Sequence, residues 1–165
     1  MTPEQVRSMA LELYKKGDYE KARELLILLL DVGFDVLSTR LHLARIALMT
    51  DNVSEADKQV SEAWAQRKEA KPYVVARLLW MQALNAQMDN ADAASIFGQL
   101  KTVLQADDAF MEWKMQPVLD HLNPRLSAEA LALLSALVDA LGSREKLPHL
   151  DRFPAWREVA PQPLE

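Results

Sequence analysis

Cysteine is absent from the 165 residues, so disulfides and thiolate chemistry are both closed to this chain. Glycine occurs only four times, and no run of alternating β-branched residues is present to announce strands. Long apolar runs are missing too. The longest, residues 25–30, is six residues inside an otherwise charged stretch, far short of a membrane span. An excess of positive charge is also lacking. The formal net charge is −5, with Lys and Arg scattered among Asp and Glu, whereas a nucleic-acid surface calls for a basic stripe. The N-terminus has neither the basic nor the apolar region of a signal peptide, and a cytoplasmic location is expected. The length suits one domain able to bury a core without staples.

What is present is helical periodicity. Thr2-Pro3-Glu4-Gln5 reads as a helix start, with Thr2 as cap, Pro3 in the first turn and Gln5 folding back. Val6, Met9, Ala10 and Leu13 then share one helix face, as do Ala22, Leu26 and Leu29. Between the two sets stands Gly17-Asp18. Gly17 permits a left-handed turn residue, and Asp18 can cap the second helix. The expectation is two antiparallel helices joined by a short turn.

The hairpin recurs. A shift of 34 residues carries it onto Arg40, Leu43, Ala44 and Ala47, then Ala56, Val60 and Ala63, with Asp51-Asn52 in the place of Gly17-Asp18. Ser54 with Asp57 resembles a capping box there. A third copy follows Pro72: Arg77, Trp80, Met81 and Leu84, then Ala93, Phe97 and Leu100. A further shift of 38 would align the turns but place Asn85 and Lys101 in the core, while 37 places Leu84 and Leu100 there. Packing decides for 37, with the extra length in the 67–71 loop.

This pattern resembles the tetratricopeptide repeat, a helix–turn–helix unit of about 34 residues with small side chains where helices cross closely. Ala10, Ala44, Ala22, Ala56 and Ala93 stand at the small positions, Leu13 and Leu84 at larger ones. The resemblance covers roughly residues 3–104. Arg40 and Arg77 depart from it in place of an aromatic, Met81 in place of a small residue, and Phe34 in place of the closing proline. It implies an all-α fold, a right-handed superhelix of antiparallel helix hairpins, with three repeats in residues 1–106. Residues 107–160 make a divergent fourth hairpin and capping segment of the same domain, and 161–165 a flexible tail. In the fourth hairpin Asp108 is expected to cap a helix through Phe110, Trp113 and Met115. Pro117 should kink or break it near Lys114. Ser127 should cap a second helix ending at Gly142. That helix is apolar nearly all round, so it needs cover on more than one side. Leu147-Pro148-His149-Leu150 and Phe153-Pro154-Ala155-Trp156 are expected to fold back as the cap that a solenoid end requires.

Catalysis finds little support in the sequence. Nucleophilic chemistry needs a base beside Ser, Cys or Thr, and the three histidines, His42, His121 and His149, read as surface or locally bonded. No ligand pair has zinc-site spacing, and no glycine-rich phosphate loop occurs. Neither enzyme, metal nor other cofactor is expected. Trp80 and Met81 read as core, and Trp64 as sealing a contact near the end of its helix. Met49 and Met88, at helix ends, suit adaptable contacts.

The resemblance implies that the first helix of each hairpin lines a concave groove. Carried onto this sequence, the groove positions are Arg7, Leu11, Tyr14 and Lys15, then Leu41, Arg45, Leu48 and Met49, then Val75, Leu78, Gln82 and Asn85. The two amides can pair with an extended backbone, and the arginines can clamp a carboxylate. Against that stands the plainer reading that Arg7 and Arg45 pair with neighbouring acids on a solvated face. The clamp by which co-chaperones of this family grip heat-shock C-termini is absent. Its positions hold Leu11 and Leu79. Ile27 and Leu28 exceed what the hairpin core needs and form a candidate oligomer edge. The expected function is therefore a non-catalytic module that binds a peptide segment or helix of another protein. A secretion-type chaperone and a self-assembling subunit, with homodimerisation through that edge, are the alternatives. No nucleic-acid or membrane partner is expected.

Overall fold

The computed structural model describes residues 1–165. Every regular element is a helix and no strand forms. The α-helices are α1 (Pro3–Lys15), α2 (Tyr19–Asp31), α3 (Val36–Met49), α4 (Val53–Ala65), α5 (Pro72–Met88), α6 (Ala94–Val103), α7 (Gln116–Leu122), α8 (Ala128–Gly142) and α9 (Pro154–Arg157). Short 3₁₀ turns occupy Arg67–Glu69, Asp107–Ala109, Asn123–Arg125 and Arg144–Arg152. Consecutive helices pack as neighbours, α1 with α2, α3 with α4 and α5 with α6. The chain forms two compact units, Met1–Gln66 and Arg67–Glu165. The expected boundary after residue 106 lies inside the second.

In the first unit, local sequence sets the geometry. Thr2 accepts from Gln5 N–H while the Gln5 side chain accepts from Thr2 N–H, a complete capping box. Gly17 takes φ +83°. The Gly17 and Asp18 N–H groups close onto the Tyr14 and Leu13 carbonyls at 3.0 and 2.9 Å, the Schellman pattern. Asp18 then caps α2 through Lys21 N–H. Asp51 repeats the turn at φ +60°, closing with Asn52 onto Leu48 and Ala47. Here the cap differs from the expected box. Asn52, not Ser54 with Asp57, accepts from Glu55 N–H, because Asn52 sits immediately outside the first helical residue. The core of the first hairpin gathers Ala10, Ala22, Leu26 and Leu29 with Leu43 and Ile46 of α3. Arg40, where an aromatic was absent, spans its own hairpin by donating to Gln59 at 2.9 Å and to Glu62.

The second unit keeps the hairpin but alters its turn. Leu84 and Leu100 are buried, Asn85 and Lys101 only half so, as the 37-residue register requires. Gly17 and Asp51 precede the buried Ala22 and Ala56 by five residues, whereas Asn90, at φ +55°, precedes the buried Ala93 by three. The first helix of this hairpin runs longer, and residues 89–93 separate it from the second, where only 16–18 and 50–52 do so in the earlier hairpins.

Beyond α6 the expected helix from Asp108 is not formed. Asp107–Ala109 is a 3₁₀ turn without a side-chain cap, and the chain to Met115 is non-helical. Pro117 stands in the first turn of α7, where its missing N–H costs nothing; it begins a helix instead of breaking one. Ser127 caps α8 through Ala130 N–H at 3.1 Å. The Trp80 indole, fully buried, donates to the Leu134 carbonyl at 3.1 Å. Trp113 meets it edge-on with centroids 5.3 Å apart. Arg77 lies over Trp113 and donates to the Glu112 carbonyl at 3.0 Å. The 144–152 segment packs on α8 and buries Leu150. Trp156 of α9 is buried against Phe97, centroids 5.9 Å apart. The apolar tail segments thus fold back over α8 and α6.

Candidate functional site

In the first unit, α1 and α3 bring together two expected site residues, Tyr14 and Arg45, and His42, which the sequence reads as surface or locally bonded. The Arg45 guanidinium stacks on the Tyr14 ring, 4.1 Å from its centroid, a distance at which cation and ring quadrupole attract. Its terminal nitrogen meets His42 Nδ1 at 3.2 Å. His42 lies three residues before Arg45 on the same helix face, which was the signal available for it. Tyr14 also touches Tyr19, centroids 5.5 Å apart.

The electrostatics of the group follow from burial. Burial raises the Tyr14 hydroxyl above its ordinary value, with the Arg45 charge opposing and Tyr19 adding to the rise. Burial likewise lowers Arg45, and Tyr14 opposes that shift. No carboxylate takes part in either balance, and Arg45 makes no salt bridge. Its Nε is buried without a hydrogen-bond partner. The Nε atoms of Arg40 and Arg77 are enclosed in the same way, so only the Nη donors of Arg45 can meet a ligand, and one of those already faces His42.

Arg7 behaves otherwise. It pairs with Asp35 at 3.2 Å and lies over the Phe34 ring. The plainer reading of a paired surface arginine therefore describes Arg7 and not Arg45. Leu11 and Met49 are half-buried on α1 and α3, and Lys15 is exposed.

Four expected groove residues, Leu41, Leu48, Val75 and Leu78, need correction. Leu41, Leu48 and Leu78 retain only 5, 3 and 0 % of their surface. They are core side chains and offer a partner nothing to touch. Val75 is buried as well. The helices carrying them are apolar on more than one side: α3 buries Leu41, Leu43, Ile46 and Leu48, and α5 buries Val74, Val75, Leu78, Leu79 and Trp80. In the second unit Gln82 and Asn85 are half-buried on α5.

At the suggested edge, Leu28 is 56 % exposed, while Ile27 packs against the hairpin core. Val32, just past α2, and Met9, on α1, are exposed as well.

The fold defines a class, an all-helical chain of neighbouring helix pairs. Comparison with known proteins adds no family to it: no family model, curated protein or solved structure matches the chain. No helix is long and apolar enough to cross a membrane.

Proposed function

We propose that the chain is a non-catalytic, cytoplasmic protein–protein interaction module of the tetratricopeptide kind, its hairpins continuing as a superhelix. In this reading the surface around Tyr14, His42 and Arg45 receives an acidic side chain from a segment of a partner protein. The observation that carries it is Arg45. It is a guanidinium held by an aromatic face and an imidazole, with no acid of its own. Stacking fixes its plane, so less orientational freedom is lost when a carboxylate docks. Leu11 on α1 and Met49 on α3 supply adjustable apolar contacts on the same two helices. Affinity then comes mainly from the apolar contacts, and the arginine contributes orientation and salt sensitivity.

The test is affinity capture from native lysate with the wild-type chain, Arg45→Glu and Arg7→Glu. A partner lost from Arg45→Glu and retained by Arg7→Glu supports the site. Equal capture by all three removes Arg45 from it.

Self-association is a second reading, favoured by the exposed Leu28, Val32 and Met9. Light scattering of the wild type at high concentration, compared with Leu28→Glu, decides it. A constant mass of 18.7 kDa for both would end it.

A further inference from the structure

The final residues of the chain make contacts unlike those of a loose end. Lys101 Nζ donates to the Val159 carbonyl at 2.6 Å. Gln162 N–H donates to the Gly98 carbonyl at 2.9 Å, and Thr102 donates to the Gln162 carbonyl. Glu165 N–H donates to Gln99 Oε1 at 3.2 Å, and Arg67 donates to the Glu165 carbonyl. Ser95 Oγ lies 3.4 Å from Gln162 Oε1 and 3.3 Å from Glu165 Oε1.

Two regularities emerge from these bonds. On the tail, the contacting residues are 159, 162 and 165, a three-residue spacing. That is the period of a polyproline II strand, and Pro161 and Pro163 stand exposed between the contacts. On α6 the contacting residues are 95, 98, 99, 101 and 102, which share one helical face. Gly98 is what lets the two backbones meet. A Cβ there would lie 2.8 Å from the Ala160 carbonyl oxygen and 2.8 Å from Gln162 Cγ. Most of these bonds engage the main chain of the tail, and beyond Trp156 no tail residue is buried. The recognition is of an extended backbone, with side chains read only at 162 and 165.

We propose that this face of α6 is a docking channel for an extended, proline-interrupted polypeptide segment, and that residues 159–165 occupy it in cis. The channel belongs to the second unit and the Arg45 site to the first. A tethered segment acts at a local concentration in the millimolar range. The chain's own tail therefore excludes a free segment of the same chemistry until it is released.

The probe is a synthetic peptide of residues 158–165, EVAPQPLE, added to the full-length chain. Wild type should bind it at least tenfold more weakly than Gln162→Pro, which lacks the N–H that reaches Gly98 and so frees the channel. Adding Gly98→Ala to Gln162→Pro should return binding to the wild-type level or below. Alanine favours the helix over glycine, so unchanged circular dichroism is expected for that variant. Amide exchange offers an independent reading. The Gln162 and Glu165 N–H groups should be protected in wild type and exchange as in the free peptide in Gly98→Ala. Equal peptide binding by wild type and Gln162→Pro, binding that survives Gly98→Ala, or unprotected wild-type amides would each overturn the proposal.

Discussion

The two units are built by different means. In Met1–Gln66, short-range sequence does most of the specification: a capping box at Thr2, side-chain caps at Asp18 and Asn52, and left-handed turn residues at Gly17 and Asp51. In Arg67–Glu165, α5 and α7 start without a side-chain cap, and such caps are left to Asp92 before α6 and Ser127 before α8. Order there comes from large side chains that reach across many residues. Trp80 bonds the backbone 54 residues on, Arg77 bonds it 35 on, and Arg144 reaches back to Ala106 and Asp107. Repetition is thus maintained by many small local terms, and irregularity by a few long-range anchors.

The largest expected effect tests the anchors. Trp80→Ala removes a fully buried indole and leaves the Leu134 carbonyl without its donor, so it should cost about 3–5 kcal/mol. Denaturant unfolding measures it, and a loss below about 1 kcal/mol would contradict the anchor role. Next comes Leu26→Ala, at the centre of the first hairpin and 1 % exposed, with an expected loss of about 2–5 kcal/mol. Caps rank third. Asn52→Ala should cost about 1 kcal/mol, while Ser54→Ala, whose hydroxyl only meets Asn52 Oδ1, should stay within about 0.5 kcal/mol. The reverse order would restore Ser54 as the capping residue.

The smallest effect is a pH dependence. Burial keeps Tyr14 protonated to higher pH than in the unfolded chain, where the ordinary value is 10.0. The unfolded state therefore loses its proton first as pH rises. This contribution to stability is complete below the unfolded value and is lost as pH climbs through the folded one. Tyr14→Phe should flatten the fall in stability above about pH 10 and leave the slope near neutrality unchanged. An unaltered alkaline limb would place Tyr14 in water.

Legibility followed the reach of each interaction, not the unit it belongs to. The hairpin turns, the caps at Thr2, Asp18 and Ser127, and the 37-residue register were readable because each depends on residues within a turn or two. Leu41, Leu48, Val75 and Leu78 were misread for a physical reason. Periodicity identifies the stripe a helix buries against its hairpin partner, but not whether other elements cover the flanks. The all-round apolarity of α3 and α5 was the missed clue, although the same pattern was read correctly in α8. Asp108 and Pro117 were misassigned because a local propensity cannot say whether proline ends one helix or opens the next. The site itself was half legible. Tyr14 and Arg45 stood among the expected positions, but their mutual stacking depends on the meeting of α1 and α3. The docking of residues 159–165 had one trace only, a glycine in the middle of α6.

The placing of the indoles has a spectroscopic consequence. Trp80, Trp113 and Trp156 all belong to the second unit, and only Trp64 to the first. Intrinsic emission should thus follow mainly the melting of Arg67–Glu165, while far-ultraviolet ellipticity averages helices from both units. Superimposable denaturation curves from the two signals would make the chain one cooperative folding unit, and a separation between them would count two.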